Sequence, residues 1–131
     1  MDEFIGTSIP EEWIHGKLPF EETSKVYSSS KIILGIQNNP TQMTQRIYEI
    51  LGSKGFLLTS DTPETRRLFQ INRDLVVSSC AEETIALVDH YLKNDEECDM
   101  IRNQGEISVR VHSYLYRAEY MLKVLKEQKI I

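Results

Sequence analysis

The sequence predicts an α/β fold, with a short parallel sheet of about three or four strands and helices on both faces. Three short apolar runs rich in branched residues, 31–36, 55–59 and 75–77, are typical of buried strands. Segments with helical periodicity separate these runs, and this alternation indicates right-handed βαβ crossovers. The final third of the chain carries only helical patterns. We therefore expect a three-layer domain with a helical C-terminal tail.

Length and charge narrow the classes of function. The 131 residues are expected to form a single domain over 1–131, in which residues 1–12 are weakly patterned and loose. The 15 Lys and Arg against 20 Asp and Glu give a net charge of −5. This balance argues against a binder of nucleic acid or of membrane surfaces, since both need a basic face. No apolar run approaches the ~20 residues of a membrane span, and the acidic start is unlike a signal peptide.

Several common chemistries have no signature in the sequence. Cys80 and Cys98 lie in no CxxC or metal-binding pattern, so we expect free thiols and a reducing, cytoplasmic setting. The histidines His15, His90 and His112 lack the spacing of metal ligands, and neither a metal nor a cofactor is predicted. The usual glycine-rich phosphate loops and the GxSxG elbow do not occur.

A proline and a run of apolar residues predict the first elements of the chain. Residues 13–19 are expected to form a short strand or a loop, and a proline in a suitable first-turn position begins a helix over 19–28. The apolar run at 31–36 then predicts a strand covered on both faces.

The next helix has a clear predicted start. Asn39 can cap it and Pro40 suits its first position, while Gly52 and Gly55 end it. One apolar stripe at helical spacing is expected to face the sheet. Its members are Met43, Ile47, Ile50 and Leu51.

Capping signals predict the remaining helices. Residues 61–64, 79–82 and 94–97 each have capping-box spacing before a helical segment, and Ser113 can cap the last helix. The apolar residues expected on the packed faces of the last three helices are Ile85, Val88, Leu92, Met100, Ile101, Ile107, Ala118, Met121, Leu122 and Leu125.

The candidate site lies where the carboxyl ends of parallel strands meet, since such sheets bind ligands there. It combines residues 37–44, residues 59–64 and the region around Ser78. In the first segment, free amides at a helix start and the hydroxyls of Thr41 and Thr44 would hold a diphosphate. A helix with a polar first turn explains the same residues, as a capping box explains residues 61–64.

Two further groups have competing interpretations. Arg46 and Glu49 are neighbours on one helix. Glu49 could accept two ribose hydroxyls while Arg46 holds it or meets a phosphate, or the two form a surface ion pair worth at most ~1 kcal/mol. His112 and Tyr114, near Arg117, either reach a ligand or pack the last helix onto the sheet.

Five segments in a single order resemble a known family. They are Tyr27–Leu34, Arg46–Leu51, Gly55–Thr59, Tyr91–Glu97 and His112–Arg117. Together they resemble the C-terminal domain of CgeB-type spore-maturation proteins, in the group 1 glycosyltransferase-like superfamily with the GT-B fold. The resemblance runs from about Trp13 to the C-terminus. It implies a partial Rossmann-like domain, one half of a GT-B fold.

The resemblance also implies a donor site for a nucleotide-diphosphate sugar. Glu49 matches the glutamate that contacts the ribose hydroxyls, and Arg46 matches the family's arginine. The start of their helix would present amides to the diphosphate, and residues 59–64 would line the pocket. The resulting set of binding residues is Thr41, Gln42, Met43, Thr44, Arg46, Glu49, Thr59, Thr62 and Glu64. No catalytic residue is assigned.

Three positions depart from the family pattern. Thr41 stands where many members carry a second glutamate that touches the sugar, and Gly35 stands where the family has asparagine. Lys54 replaces the first residue of a glycine pair. We expect these changes to alter how a sugar is positioned and the shape of the site.

We therefore expect the nucleotide-sugar-binding portion of a glycosyltransferase, not active as this chain alone because an acceptor domain and part of the donor domain are lacking. The expected partners are the donor sugar and either a second copy of the chain or a separate N-terminal GT-B half. The alternative is a non-catalytic α/β interaction module derived from this fold. A phosphoacceptor regulator is set aside because no acid follows the first strand in residues 37–39.

Overall fold

A computed structural model of the protein describes residues 9–35 and 44–131. The strands are β1 (Ile33–Gly35), β2 (Leu57–Ser60) and β3 (Val76–Ser78). The helices are α1 (Phe20–Ser29), α2 (Gln45–Gly52), α3 (Pro63–Leu68), α4 (Ala81–Leu92), α5 (Asp95–Val109) and α6 (Tyr114–Glu127). Short 3₁₀ turns cover Glu11–Trp13 and Arg110–His112.

The strands form one parallel sheet in the order β1-β2-β3. Leu34 pairs in register with Leu58, and Leu58 with Val76. Each crossover carries a helix, as parallel neighbours require. The predicted α/β class, with its short parallel sheet and helical C-terminal part, is confirmed.

Successive residues of each strand supply two separate cores, because neighbouring side chains of a strand point to opposite faces. Leu57 and Val77 pack with α2 on one face. Leu58 and Val76 pack with α4 and the first half of α5 on the other. The sheet thus lies between helical layers, as the apolar runs predict.

Helix α5 lies across the amino ends of the strands. Near its start, Asp95 pairs with Lys31 at 2.6 Å, just before β1. Farther along, Gly105 lies against the backbone of Asp74, just before β3. Asp74 is buried, and its carboxylate accepts bonds from the Gln70 amide at 2.8 Å and the Ser108 hydroxyl at 2.7 Å. These contacts hold α5 against this end of the sheet.

The turn between α2 and β2 shows how the chain accommodates one departure from the family pattern. Lys54 adopts a left-handed backbone with φ of 58°. A conformation that glycine adopts freely is therefore kept by a lysine at a cost in strain. The following Gly55 is buried, and a side chain there would meet Ile33 and Ile50 at 2.8 Å.

Several predicted bounds are correct and several are not. Helix α1 lies within one residue of its prediction, and residues 13–19 contain the end of a 3₁₀ turn followed by a loop rather than a strand. The strand at β1 is not covered on both faces, since Leu34 is 57% exposed on an edge strand. The helix predicted from Pro40 begins at Gln45, because Thr44 is extended. Asn39, Pro40 and Met43 lie outside the described residues.

The predicted packed faces of the last helices are partly wrong. Ile85 is 70% exposed, and α4 buries Tyr91 instead, with Leu87 and Val88 beside it. Met100 and Ile107 are exposed on α5, whose buried positions are Cys98, Ile101, Gly105 and Val109. Ser113 caps α6 as predicted, accepting from the Tyr116 amide, but α6 buries no residue.

The two cysteines are the thiols that the sequence predicts to be free. Cys80 is exposed, Cys98 is buried, and both are free, as predicted. Burial raises the pKa of the Cys98 thiol.

Among residues 9–35 and 44–131, no helix has the length and apolarity needed to cross a membrane.

Candidate functional site

A cleft of about 530 Å³ lies between the first turns of α2 and the chain that enters α6. Helix α2 contributes one wall, and the 3₁₀ turn before α6 contributes the other. The lining residues are Gln45, Tyr48, Glu49, His112, Ser113, Tyr114 and Arg117. The cleft therefore joins Glu49, a predicted ribose ligand, to the His112–Arg117 segment.

Helix α2 can present Glu49 because its opposite side is anchored. Ile47, Ile50 and Leu51 are buried against the sheet, as the predicted stripe requires. Gln45 and Glu49 are four residues apart and so share the outer face. Glu49 is partly buried and takes part in no ion pair within the described part of the chain.

His112 lines the cleft and packs against two aromatic rings. Its ring centre lies 5.4 Å from that of Tyr48 and 5.5 Å from that of Phe69. Its Nδ1 lies 2.7 Å from Nη2 of Arg117. Because a guanidinium only donates, Nδ1 accepts and the ring is neutral. Burial, and then the Arg117 charge, lower the pKa of His112.

A second group of predicted residues lies at the carboxyl ends of the strands, along a separate cleft of about 380 Å³. Its lining includes Thr59, Ser60 and Ser78. The Thr59 hydroxyl donates to the Gly35 carbonyl at 2.7 Å, so it ties β1 to β2. A side chain at Gly35 would come within 2.8 Å of Leu57 Cδ1. The asparagine of the family pattern would therefore need a shift here.

The residues at the start of α3 form structural contacts. Thr62 caps the helix by accepting from the Thr65 amide at 3.2 Å. The predicted capping box from Asp61 to Glu64 is wrong, because each acid pairs with an arginine instead. Asp61 bonds Arg66 at 2.6 Å, and Glu64 bonds Arg67 at 2.7 Å.

These ion pairs at α3 also set the protonation of the two acids. Hydrogen bonds from the arginines lower the pKa of both Asp61 and Glu64. Thr62 and Glu64 thus have structural partners and do not line the cleft around Glu49.

The capping box predicted at residues 79–82 is also wrong. Cys80, rather than Ser79, occupies the N-cap position of α4, and no side chain caps the amides there. The prediction at residues 94–97 is correct in position, because Asn94 is the N-cap of α5. The Asn94 side chain does not cap the helix, however, and instead donates to the His90 carbonyl at 2.6 Å.

The predicted diphosphate seat is only partly described. Thr41, Gln42 and Met43 lie outside the described residues. Thr44 is the N-cap of α2 but makes no side-chain capping bond. Arg46 is exposed, does not line the cleft, and forms no ion pair with Glu49 among the described residues.

Sequence reasoning did not join the His112 segment to Glu49. It left open whether His112 reaches a ligand or packs, and the structure gives this side chain both a packing role and a place on the cleft wall. The last helix itself does not pack onto the sheet, since α6 buries no residue. The HxxxxR spacing is the sequence signal that could have predicted a contact between these two side chains, because it lets Arg117 reach back to His112.

Within residues 9–35 and 44–131, no group of three or more His, Cys, Asp or Glu side chains is arranged to hold a metal ion.

A family model described as glycosyl transferase-like matches residues 4–123, which is most of the chain. No match was found among curated proteins or among solved structures.

Proposed function

The chain belongs to the glycosyl transferase-like family, and from this premise we propose that it binds the nucleotide-diphosphate sugar from which a glycosyl group is transferred. Membership supports a glycosyltransferase-related function; the donor is our proposal. The observation that carries it is the position of Glu49, a carboxylate without an ion-pair partner among the described residues, in a cleft of about 530 Å³.

The chemistry of the cleft suits a ribose. An ionised carboxylate accepts hydrogen bonds at both oxygens, and vicinal ribose hydroxyls offer two donors. Gln45 lies on the same helical face and adds an amide. A cleft of this volume lies within the range that encloses small ligands. Thr59, at the separate strand-end cleft, is proposed to lie nearer the sugar.

The transfer step needs stabilisation of the departing nucleoside diphosphate. Amides at the start of a helix can provide it, because they direct partial positive charge outward. In this proposal the amides at the start of α2, which follow the N-cap Thr44, bind the diphosphate. The acceptor would bind across from this site, on a second GT-B half or on a second copy of the chain.

A binding experiment tests the donor site. Ligand-detected NMR and calorimetry would compare UDP, GDP, ADP, TDP and their sugars for the wild type and Glu49→Gln. We expect saturable binding of one nucleotide, weakened roughly tenfold in the variant because charge-assisted bonds are lost. Glu64→Gln is the matched control, since Glu64 pairs with Arg67 outside the cleft. Absence of binding by folded wild type would contradict the proposal.

Narrower assignments stay proposals. The five segments that resemble CgeB-type proteins support placing the chain in that group and, through the group alone, in spore maturation. The free thiols support a cytoplasmic setting. Deletion of the gene followed by assay of spore-coat glycans would test the first of these, and an unchanged coat would contradict it.

A second function, a non-catalytic interaction module, is favoured by helix α6. This helix buries no residue, and Leu115, Tyr120 and Met121 are all exposed on it. Such a surface is typical of an interface. Sedimentation of the wild type beside Leu115→Glu tests it, and a concentration-independent monomer in both would remove self-association as its basis.

A further inference from the structure

Arg117 carries a charge that no acid balances in the described part of the chain. It lines the same cleft as Glu49, yet it belongs to none of the ion pairs formed there. The arginine that precedes it in the sequence differs. Arg110 bonds Glu106 at 2.7 Å. A guanidinium on a cleft wall without a carboxylate partner is free to bind an anionic ligand.

The side chain of Arg117 is also held in place. Nη2 donates to His112 Nδ1 at 2.7 Å, and Nε lies 3.4 Å from the His112 carbonyl oxygen. The imidazole itself packs against Tyr48 and Phe69. Two contacts to a neutral partner orient the guanidinium without neutralising it. The remaining N–H groups keep their capacity to donate.

We infer that Arg117 binds the diphosphate of the donor in the Glu49 cleft, with His112 as the residue that positions it. This inference rests on the proposed function. It assigns to Arg117 the phosphate contact that the sequence suggested for Arg46, because Arg117 lines the cleft and Arg46 does not.

The ligand class follows from the two charges of the cleft. Glu49 makes a simple anion such as pyrophosphate bind more weakly than a nucleoside diphosphate, because like charges repel. A nucleoside diphosphate instead offers hydroxyl donors to the carboxylate and an anionic group to the guanidinium. Arginine suits the anionic end, since its planar fork matches phosphate oxygens. One nucleoside diphosphate can thus bind Glu49 through its hydroxyls and Arg117 through its phosphates.

The variants separate this role from a structural one. Arg117→Gln removes the charge, Arg117→Lys restores a point charge without the fork, and Arg46→Gln tests the position that the sequence suggested instead. His112→Phe keeps ring packing but removes the Nδ1 acceptor. Each would be titrated with UDP, GDP, ADP and TDP, with the corresponding nucleosides, and with inorganic pyrophosphate.

We expect Arg117→Gln to weaken binding of the bound nucleoside diphosphate and of pyrophosphate roughly tenfold, and to leave binding of the nucleoside unchanged. Arg117→Lys should lie between it and the wild type. His112→Phe should weaken the diphosphate several-fold and spare the nucleoside, a split that a loss of folding would not produce. Glu49→Gln should weaken nucleoside and nucleotide alike.

The outcomes distinguish this inference from its premise. Folded wild type that binds no nucleotide would overturn both. Nucleotide binding that depends on Glu49 but is equal in Arg117→Gln and wild type would overturn the inference and keep the proposed function. Equal weakening by Arg117→Gln and Arg46→Gln would also overturn it, because only the general charge of the surface would then matter.

Discussion

The two ends of the sheet are built differently. At the amino ends, α5 crosses the strands with close contacts, and the buried carboxylate of Asp74 is bonded on both of its oxygens. At the carboxyl ends and along the first turns of α2, the surface opens into clefts lined by hydroxyls and charged side chains. A cleft of about 690 Å³ also lies along α5 beside Asn72 and Arg73, which precede β3, so the two ends differ in the groups that line them and not in whether the surface is open. Glu49 and Arg117 line the cleft near the carboxyl ends, where parallel sheets generally bind ligands.

The same contrast holds for individual groups. Asp74 is 4% exposed and has protein partners at each oxygen. Glu49 is more exposed and has no ion-pair partner among the described residues. Substitutions near Asp74 should therefore change stability and leave binding alone, while those near Glu49 should do the reverse.

The largest expected effect is at Gly105. A methyl group there would overlap the Asp74 carbonyl oxygen and press on Leu51 at 3.1 Å, so α5 would have to move off the strand ends. Gly105→Ala should lower the free energy of unfolding by about 3 kcal/mol. Urea unfolding measures it. Gly52→Ala is the control, since nothing lies within 4 Å of its added carbon. Similar losses in both variants would contradict the close contact.

Asp74 should have the next largest effect. Asp74→Ala leaves the Gln70 amide and the Ser108 hydroxyl without their acceptor, and should lower the free energy of unfolding by about 2 kcal/mol. Nucleotide affinity should not change. Asp89→Ala, which breaks an exposed pair with Lys93, should cost less than ~1 kcal/mol in the same denaturant assay. If the two variants were equally stable, the buried carboxylate would not have the role assigned to it.

The smallest expected effect is a pH dependence of the free energy of unfolding that comes from His112, in the cleft that also contains Glu49. Burial and the Arg117 charge lower the pKa of His112 in the folded chain below its ordinary value of 6.5. The unfolded chain therefore takes up the proton first as the pH falls. The stability that the neutral His112 ring contributes is fully present at pH values above 6.5 and is lost as the pH falls through the pKa of His112 in the folded chain.

Urea unfolding between neutral and mildly acidic pH tests the contribution of His112. The wild type should lose more stability across this window than His112→Phe, which has no titrating ring. Asp61, Glu64 and Glu106 also have lowered pKa values, but they titrate at more acidic pH. Parallel stability curves for wild type and variant would show that His112 is not held neutral by its surroundings.

Local patterns predicted a large part of the fold. Apolar runs located the three strands, and the stripe of Ile47, Ile50 and Leu51 located the buried face of α2. The caps were less predictable. Capping-box spacing places an acid near a helix start, but the acid bonds whichever donor is nearer in space. Glu64 bonds Arg67, and Thr62 becomes the cap.

Burial on the later helices also escaped prediction. Periodicity identifies an apolar stripe, but Met100 and Ile107 on α5 are exposed while Gly105 is buried. Which stripe packs depends on what α5 crosses, and it crosses the amino ends of the strands, where a glycine permits close approach to the backbone of Asp74.

The sequence by itself determined the α/β class, the strand positions, the family resemblance and the choice of Glu49 as a candidate ligand. Only the tertiary structure decided that Glu49 faces His112 and Arg117 rather than Arg46. Local periodicity and capping act between residues a few positions apart, whereas this cleft joins α2 to the entry of α6, far along the chain. The path of α5 between them sets that juxtaposition, and it depends on packing of the whole core.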